Sequence, residues 1–388
     1  MRVTPFGREL KRLRAERGLT IRSLGQQLGK SIAYLGKVEA QGEIPNAELI
    51  RKIAKVLEQE PTTLLALAKE SLLSRAQQQI DVRYGNVRFS AAGDGCGMEE
   101  KKMTIAVSLI NMKGGVGKTT LGMQLAHAAD SADIKVLAVD LDPQSNLSHA
   151  LMGAVDYVGH LRANRPTVAQ IFDDYIPAGG SSGAPRRMDI NDVILKGVGY
   201  WQGSTLDLIP SRLELSRTLK NPTGKERRLA KALASVEGQY DLIIIDCSPT
   251  ESILTDAAYF ASRHVIVPIK PEFMATIGLP LLARSLSEFQ LENEDHEIDI
   301  AGLVFNHSSA YSAGPEGQQS IKEVTDFAAS QNWHICENQM KYSASYAKSA
   351  RESAPLSRTS YARNDVVRGF QRLKDEIFGI IGLARVEA

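Results

Sequence analysis

The clearest chemistry in the chain lies in one run, Asn111-Met112-Lys113-Gly114-Gly115-Val116-Gly117-Lys118-Thr119-Thr120. Glycines let a backbone curl until successive N–H groups converge on one point, which suits the oxygens of a phosphate chain. An apolar run, Ile105-Ala106-Val107-Ser108-Leu109-Ile110, precedes it and a helical pattern follows. The curl would thus open a helix N-terminus, whose partial positive charge attracts anions. There Lys118 would neutralise the β- and γ-phosphates of a nucleotide, and the Thr119 hydroxyl would complete a Mg2+ shell.

Two further runs end in carboxylates. Val139-Asp140-Leu141-Asp142-Pro143-Gln144 closes one apolar stretch, and Leu242-Ile243-Ile244-Ile245-Asp246 closes another. Acidic residues at strand C-termini stand where ligands of open α/β sheets bind. Asp142 taken alone reads equally well as a helix cap.

The usual phosphate-loop pattern has glycine five residues before Gly117, where this chain has Met112. The segment from Lys113 to Thr119 instead resembles the deviant Walker A motif of the ParA/MinD ATPases. In that family a second, "signature" lysine reaches the partner's ATP across a dimer, and Lys113 holds its position. The resemblance covers roughly residues 103–380 and implies a set of roles. Gly114, Gly115, Val116, Gly117, Lys118, Thr119 and Thr120 would cradle ATP. Asp142 would orient the attacking water, Asp246 would hold the Mg2+ hydration shell as in Walker B, and Thr119 would ligate the ion. Ser248 stands where the family often has proline. Val267-Pro268-Ile269-Lys270-Pro271-Glu272-Phe273 is similar to the strand and loop after Walker B. Asn306 matches a position that contacts adenine, though a lone asparagine at a strand end is equally a turn former. Because the site needs Lys113 from both protomers, ATP would join a homodimer and hydrolysis would release it.

Phe6 to Leu57 resembles a Cro/repressor-type helix-turn-helix, with Gly18-Leu19-Thr20, Leu24-Gly25-Gln26-Gln27-Leu28-Gly29 and Pro45 as its punctuation. Leu24, Leu28, Leu35 and Val38 are expected to share a core. The helix Ser31 to Glu39 would then be the reader for a major groove. Its candidate DNA contacts are Ser31, Ile32, Ala33, Tyr34 and Lys37, with Arg22 and Lys30 on flanking phosphates. Ile21 replaces the usual glutamine, and Gly36 offers no side chain to a base.

These sites demand a particular set of supporting elements. Continuous apolar runs at 105–110, 136–139, 242–245, 265–267 and 300–305 alternate with helical segments, as in a parallel sheet covered on both faces. The expected fold class is an α/β P-loop NTPase, its mainly parallel sheet flanked by helices, preceded by a small all-α helix-turn-helix domain. Residues 1–80 would form the head, 81–102 a flexible linker of small polar residues, and 103–388 the ATPase body. A second flexible excursion is expected over Gly179-Gly180-Ser181-Ser182-Gly183-Ala184-Pro185.

Charge follows the same division. Residues 1–80 hold fourteen Lys/Arg against eight Asp/Glu, while the remainder holds thirty-two against thirty-seven, so a basic head sits on an acidic body. Within that body residues 341–374 carry eight Lys/Arg against two Asp/Glu, Lys348 and Arg351 among them. Such a strip suits DNA binding without sequence preference, as in ParA relatives. Cys96, Cys247 and Cys336 match no disulfide or metal spacing. A hydrophobic share of 43% with no long apolar run indicates a cytoplasmic, nucleoid-associated protein with no membrane role. The resemblance implies partitioning or positioning of DNA with a ParB-like partner. Its rivals are an ATP-switched transcriptional regulator and a positioning ATPase for a protein cargo.

Overall fold

The structure, a computed structural model, describes residues 4–40, 44–45, 47–69, 71, 104–176, 186–306 and 314–383. The expected linker and the Gly179–Pro185 excursion lie outside them. The chain divides into two compact units, Met1–Gly97 and Met98–Ala388.

In the first unit, capping residues set the boundaries. α1 (Pro5–Glu16) starts on Thr4, whose hydroxyl accepts from Gly7 N, with proline at the first position. α2 (Ile21–Leu28) starts on Thr20 in the same way and stops at Gly29, which takes the left-handed conformation (φ 65°). α3 (Ile32–Ala40), α4 (Ala47–Val56) and a fifth helix, α5 (61–69), complete the bundle. Leu24, Leu28, Leu35 and Val38 do share one core, joined by Phe6, Leu10, Ile53, Leu57 and Leu64. A two-pronged pair, Arg14 to Glu39 at 2.6 and 2.9 Å, fastens α1 to the end of α3.

The second unit is built on a six-stranded, all-parallel sheet. Its strands are β1 (Ile105–Leu109), β2 (Val136–Leu141), β5 (Leu206–Ile209), β6 (Leu242–Cys247), β7 (His264–Ile269) and β8 (Asp299–Phe305), in the spatial order β5-β2-β6-β1-β7-β8. β3 (Tyr175–Ile176) and β4 (Arg186–Arg187) form a separate short antiparallel pair. One sheet face packs against helices that include Ile253–Ala261, Phe273–Glu292 and Pro315–Ser330. The other packs against α6 (Lys118–Asp130) and the helices Ala344–Glu352 and Asn364–Ile380. Burial on both sides explains why most strands read as unbroken apolar runs. The edge strand β5 alternates instead, with Asp207 between Leu206 and Leu208, and the apolar-run criterion passed over it.

Candidate nucleotide site

Parallel register brings the functional residues together. β6 lies between β1 and β2, and Asp246 is paired with Leu109 on one side and Asp140 on the other. The C-terminal ends of three strands therefore open onto one spot, where the loop 110–117 leads from β1 into α6. Gly115 (φ 71°) and Gly117 (φ 99°) take conformations that side chains resist. A Cβ on Gly117 would also stand 2.0 Å from Asn306 Nδ2.

The loop is braced from behind. Asn111 Nδ2 donates to Pro268 O (2.9 Å), and Asn111 Oδ1 accepts from Lys113 N (2.9 Å). Asn306, buried at the end of β8, donates from Nδ2 to Val116 O (2.7 Å). Its amide is thus engaged with the loop itself, so an adenine contact would need this bond to be shared or exchanged.

Lys118 is folded into the loop, its ammonium donating to Asn111 O (3.0 Å) and Lys113 O (3.1 Å). Burial pushes its pKa below the ordinary lysine range, and Asp246, Cys247 and Asp142 pull the other way. Thr119 Oγ1 donates to Asp246 Oδ2 (2.6 Å). Asp246 is completely buried, and its other oxygen, Oδ1, has no hydrogen-bond partner among the described residues. Burial, then the neighbouring Asp140, push its pKa up to about 8. A buried carboxylate with one bare oxygen, beside a hydroxyl and an ammonium, is under-compensated. Oxygen donors of this kind fit a Mg2+ ion, which usually binds one or two carboxylates and keeps several waters.

Asp142 is buried at the mouth of β2, where Oδ1 accepts from Gln144 N (2.9 Å). It thus caps the following turn while standing beside the loop's charges. Behind it Asp140 accepts from Ser148 N (2.8 Å), Ser148 Oγ (2.6 Å) and Asp142 N (3.2 Å). Burial raises the Asp140 pKa to about 6 against these bonds. Lys113 has a different partner, its Nζ 2.6 Å from Glu272 Oε2 at the start of the helix Phe273–Glu292.

The expected DNA contacts fall into two groups. On α3, Ser31 caps the helix by accepting from Tyr34 N (3.1 Å). Ile32, Ala33 and Lys37 are exposed, as are Arg22 and Lys30 nearby, while Tyr34 is half-buried with Lys30 Nζ 5.8 Å from its ring centre. In the C-terminal basic stretch, Arg351 is exposed and Lys348 pairs with Glu352 (3.4 Å). Arg358 lies over the Trp201 ring, and Arg363 pairs with Asp365.

A family model described as an AAA domain matches residues 103–300, just over half of the chain, and one described as a helix-turn-helix domain matches residues 5–67. The sporulation initiation inhibitor protein Soj of Bacillus subtilis is 31% identical over 226 residues, which span 57% of this chain and 79% of Soj. The chain belongs to the ParA/MinD-type ATPase family. Solved structures agree on the fold. An ATP complex of McdA from Cyanothece has a TM-score of 0.59 at 18% identity, covering 74% of this chain and all of that one. A plasmid partition protein from Borrelia burgdorferi bound to AMPPNP has a TM-score of 0.54 at 19% identity, covering 71% and 98%.

Three residues of this ParA-type site escaped the sequence reading as functional groups. Asn111 and Asp140 lay inside the quoted motifs, but their roles are set by hydrogen bonds to Pro268 and Ser148, remote in sequence or in a following helix. Glu272 lay inside the quoted loop, yet no spacing rule places it against Lys113, 159 residues away. Among the described residues no helix is long and apolar enough to cross a membrane.

Proposed function

We propose that this ParA/MinD-type chain binds Mg2+–ATP, dimerises around it, hydrolyses it slowly, and thereby partitions or positions DNA, with the head reading an operator or similar specific site. The observation that carries the reading is the different partnering of the two lysines. Lys118 donates to the loop carbonyls, and Lys113 pairs with Glu272, with its side chain 28% exposed.

Bound Mg2+–ATP would supply the scissile phosphoanhydride and the metal charge that neutralises it. The chain's own residues then have separable tasks. Lys118 would exchange its carbonyl partners for phosphate oxygens, and Thr119 and Asp246 would hold the ion. Asp142, steadied by Gln144 N, would orient water in line with the γ-phosphate. Lys113 would leave Glu272 for the nucleotide of a second protomer. Such a site makes ATP the glue of a dimer, in which a basic surface around Lys348 and Arg351 would face DNA phosphates. We place such a protein in the cytoplasm on the nucleoid, working with a ParB-like stimulating partner. The head's exposed α3 supports specific reading by Ser31, Ile32, Ala33, Tyr34 and Lys37, with Arg22 and Lys30 on phosphates.

The test is a binding titration on random and upstream DNA, with and without ATP, at two salt concentrations, alongside oligomer mass. The expected results are ATP-dependent dimerisation and salt-sensitive binding to random DNA. Lys118→Ala should abolish nucleotide binding. Lys113→Ala should retain it and lose dimerisation or hydrolysis. ATP-independent, salt-resistant binding to one short site, with none to random DNA, would instead make the chain a transcriptional regulator.

A further inference from the structure

Away from the nucleotide site, the body brings three ligand chemistries to one point. His334 and Cys336 lie on an extended segment beside β8, where Leu303 N donates to His334 O (2.9 Å) and Cys336 N to Leu303 O (2.9 Å). Residues two apart on an extended chain project to the same side. Glu376, on the helix Asn364–Ile380, faces them with Oε1 3.5 Å from His334 Nε2. One nitrogen, one sulfur and one oxygen from these three residues all lie within 4.8 Å of one another.

We infer that His334, Cys336 and Glu376 form a binding site for a zinc-class divalent ion, which fastens the C-terminal helix to the edge of the sheet. A nitrogen–sulfur–oxygen donor set suits Zn2+ and is foreign to Mg2+ and Ca2+, which take oxygen ligands. Tetrahedral bonds of about 2.0–2.3 Å place neighbouring ligand atoms about 3.3–3.8 Å apart. The His334–Glu376 edge already has that length, and the others need to draw in by up to roughly 1.5 Å.

Three features of the surroundings support the assignment. Glu376 is fixed by Glu337 N (2.6 Å), Asn338 N (3.0 Å) and Asn338 Nδ2 (2.8 Å), the kind of outer hydrogen bonding that orients metal-binding carboxylates. On β8, Gly302 stands against the thiol, where a Cβ would lie 3.0 Å from Cys336 Sγ and crowd the sulfur. The His334 side chain is 50% exposed, which gives an ion its entry and leaves solvent to fill a fourth position. Binding breaks the Cys336 S–H bond, sends the proton to solvent and forms a sulfur–metal bond.

Neither the cysteine spacing nor a His-X-Cys pair signals this site in the sequence, because Glu376 completes it from a distant helix. The test uses the full chain, stripped of metal and held in excess Mg2+ to saturate the nucleotide site, titrated with Co2+. A thiolate-to-cobalt charge-transfer band should saturate at one equivalent and be displaced by Zn2+. Cys336→Ser should remove the band. His334→Ala and Glu376→Gln, which remove ligand atoms themselves, should weaken binding by roughly a hundredfold or more, beyond the loss of an outer partner, with ATP binding unchanged. Zn2+ should raise the Tm of the parent chain and not of His334→Ala, an exposed change that leaves folding intact. A missing band, a band that survives Cys336→Ser, or a Tm indifferent to Zn2+ overturns the site.

Discussion

The loop 110–117 and α3 both stand at the start of a helix, the one after Gly117 and the other on Ser31, yet they are constructed in opposite ways. Around the loop, Lys118, Asp142, Asp246 and Asn306 are all buried, and each is held by a hydrogen bond to the loop, to α6 or, for Asp142, to the turn that follows it. At α3 the candidate side chains are mostly exposed, with Ile32 49% exposed and Tyr34 half-buried. The first site is settled inside the chain, and its charges are already strained by burial before any ligand arrives. The second gains its meaning only from the surface it meets. Changes in the loop should therefore trade stability against function, whereas changes on the reader should alter one without the other.

The largest effect should come from Asp246→Asn. Mg2+-dependent hydrolysis should fall by roughly a hundredfold or more, the scale of losing one charge-stabilising group in an active site. The nucleotide-free protein should at the same time become more thermostable. A completely buried carboxylate beside Asp140, with one oxygen unpartnered among the described residues, costs more to hold than a neutral amide. ATPase rate and Tm measured together decide it. A lowered Tm would show that the carboxylate is a structural anchor.

Next in size is a pH effect at His127, buried in α6 with neither ring nitrogen partnered among the described residues. Burial lowers its pKa to about 4, against the pull of Asp130. The unfolded chain, near 6.5, binds the proton first as pH falls. His127 therefore leaves stability intact above pH 6.5 and erodes it from there down to about 4, by up to about 3 kcal/mol. Urea unfolding at pH 7 and 4.5 should show a smaller difference in His127→Leu than in the parent chain. Equal differences would mean that the imidazole is not held neutral.

A smaller effect is expected at the rim, where Lys113 and Glu272 pair with side chains 28% and 29% exposed. Partly exposed pairs are worth about 1 kcal/mol at most. Glu272→Ala should accordingly lower the ATP concentration needed for dimerisation by no more than roughly fivefold. Weaker dimerisation instead would place Glu272 in the interface itself, ending the view of it as a holder of Lys113.

How legible each region was follows from the same contrast. The glycine run, Asp142 and Asp246 were readable because a parallel sheet repeats one rule, that strand C-termini gather at one edge. β5 was missed because Asp207 breaks its apolar pattern, a buried carboxylate made tolerable by Lys196, Tyr240 and Gly197 N, which lie on other segments. Glu272 and the bond from Asn306 to Val116 were not readable as contacts, since both depend on how the loops after β7 and β8 approach the P-loop. In the head, the core of Leu24, Leu28, Leu35 and Val38 followed from helical spacing, while the Arg14–Glu39 pair between α1 and α3 gave no local signal.

The finest test compares two glycines of the head. At Gly25 an added Cβ would stand 2.7 Å from the backbone oxygen of Lys30, where α2 turns toward α3. Backbone cannot yield as a side chain can, so Gly25→Ala should destabilise the head by about 1–3 kcal/mol. At Gly36, within α3, nothing lies within 4 Å of the same added atom. Gly36→Ala should therefore stabilise the head by up to about 1 kcal/mol, through helix propensity alone. If α3 enters a groove with Gly36 toward the DNA, that methyl lowers affinity for the specific site while the head melts higher. If Gly36 faces away, affinity stays the same. Melting of the head and DNA affinity, measured on the one variant, thus separate the stability of the reader from its reading. A head that melts lower in Gly36→Ala would refute the open space assigned to that position.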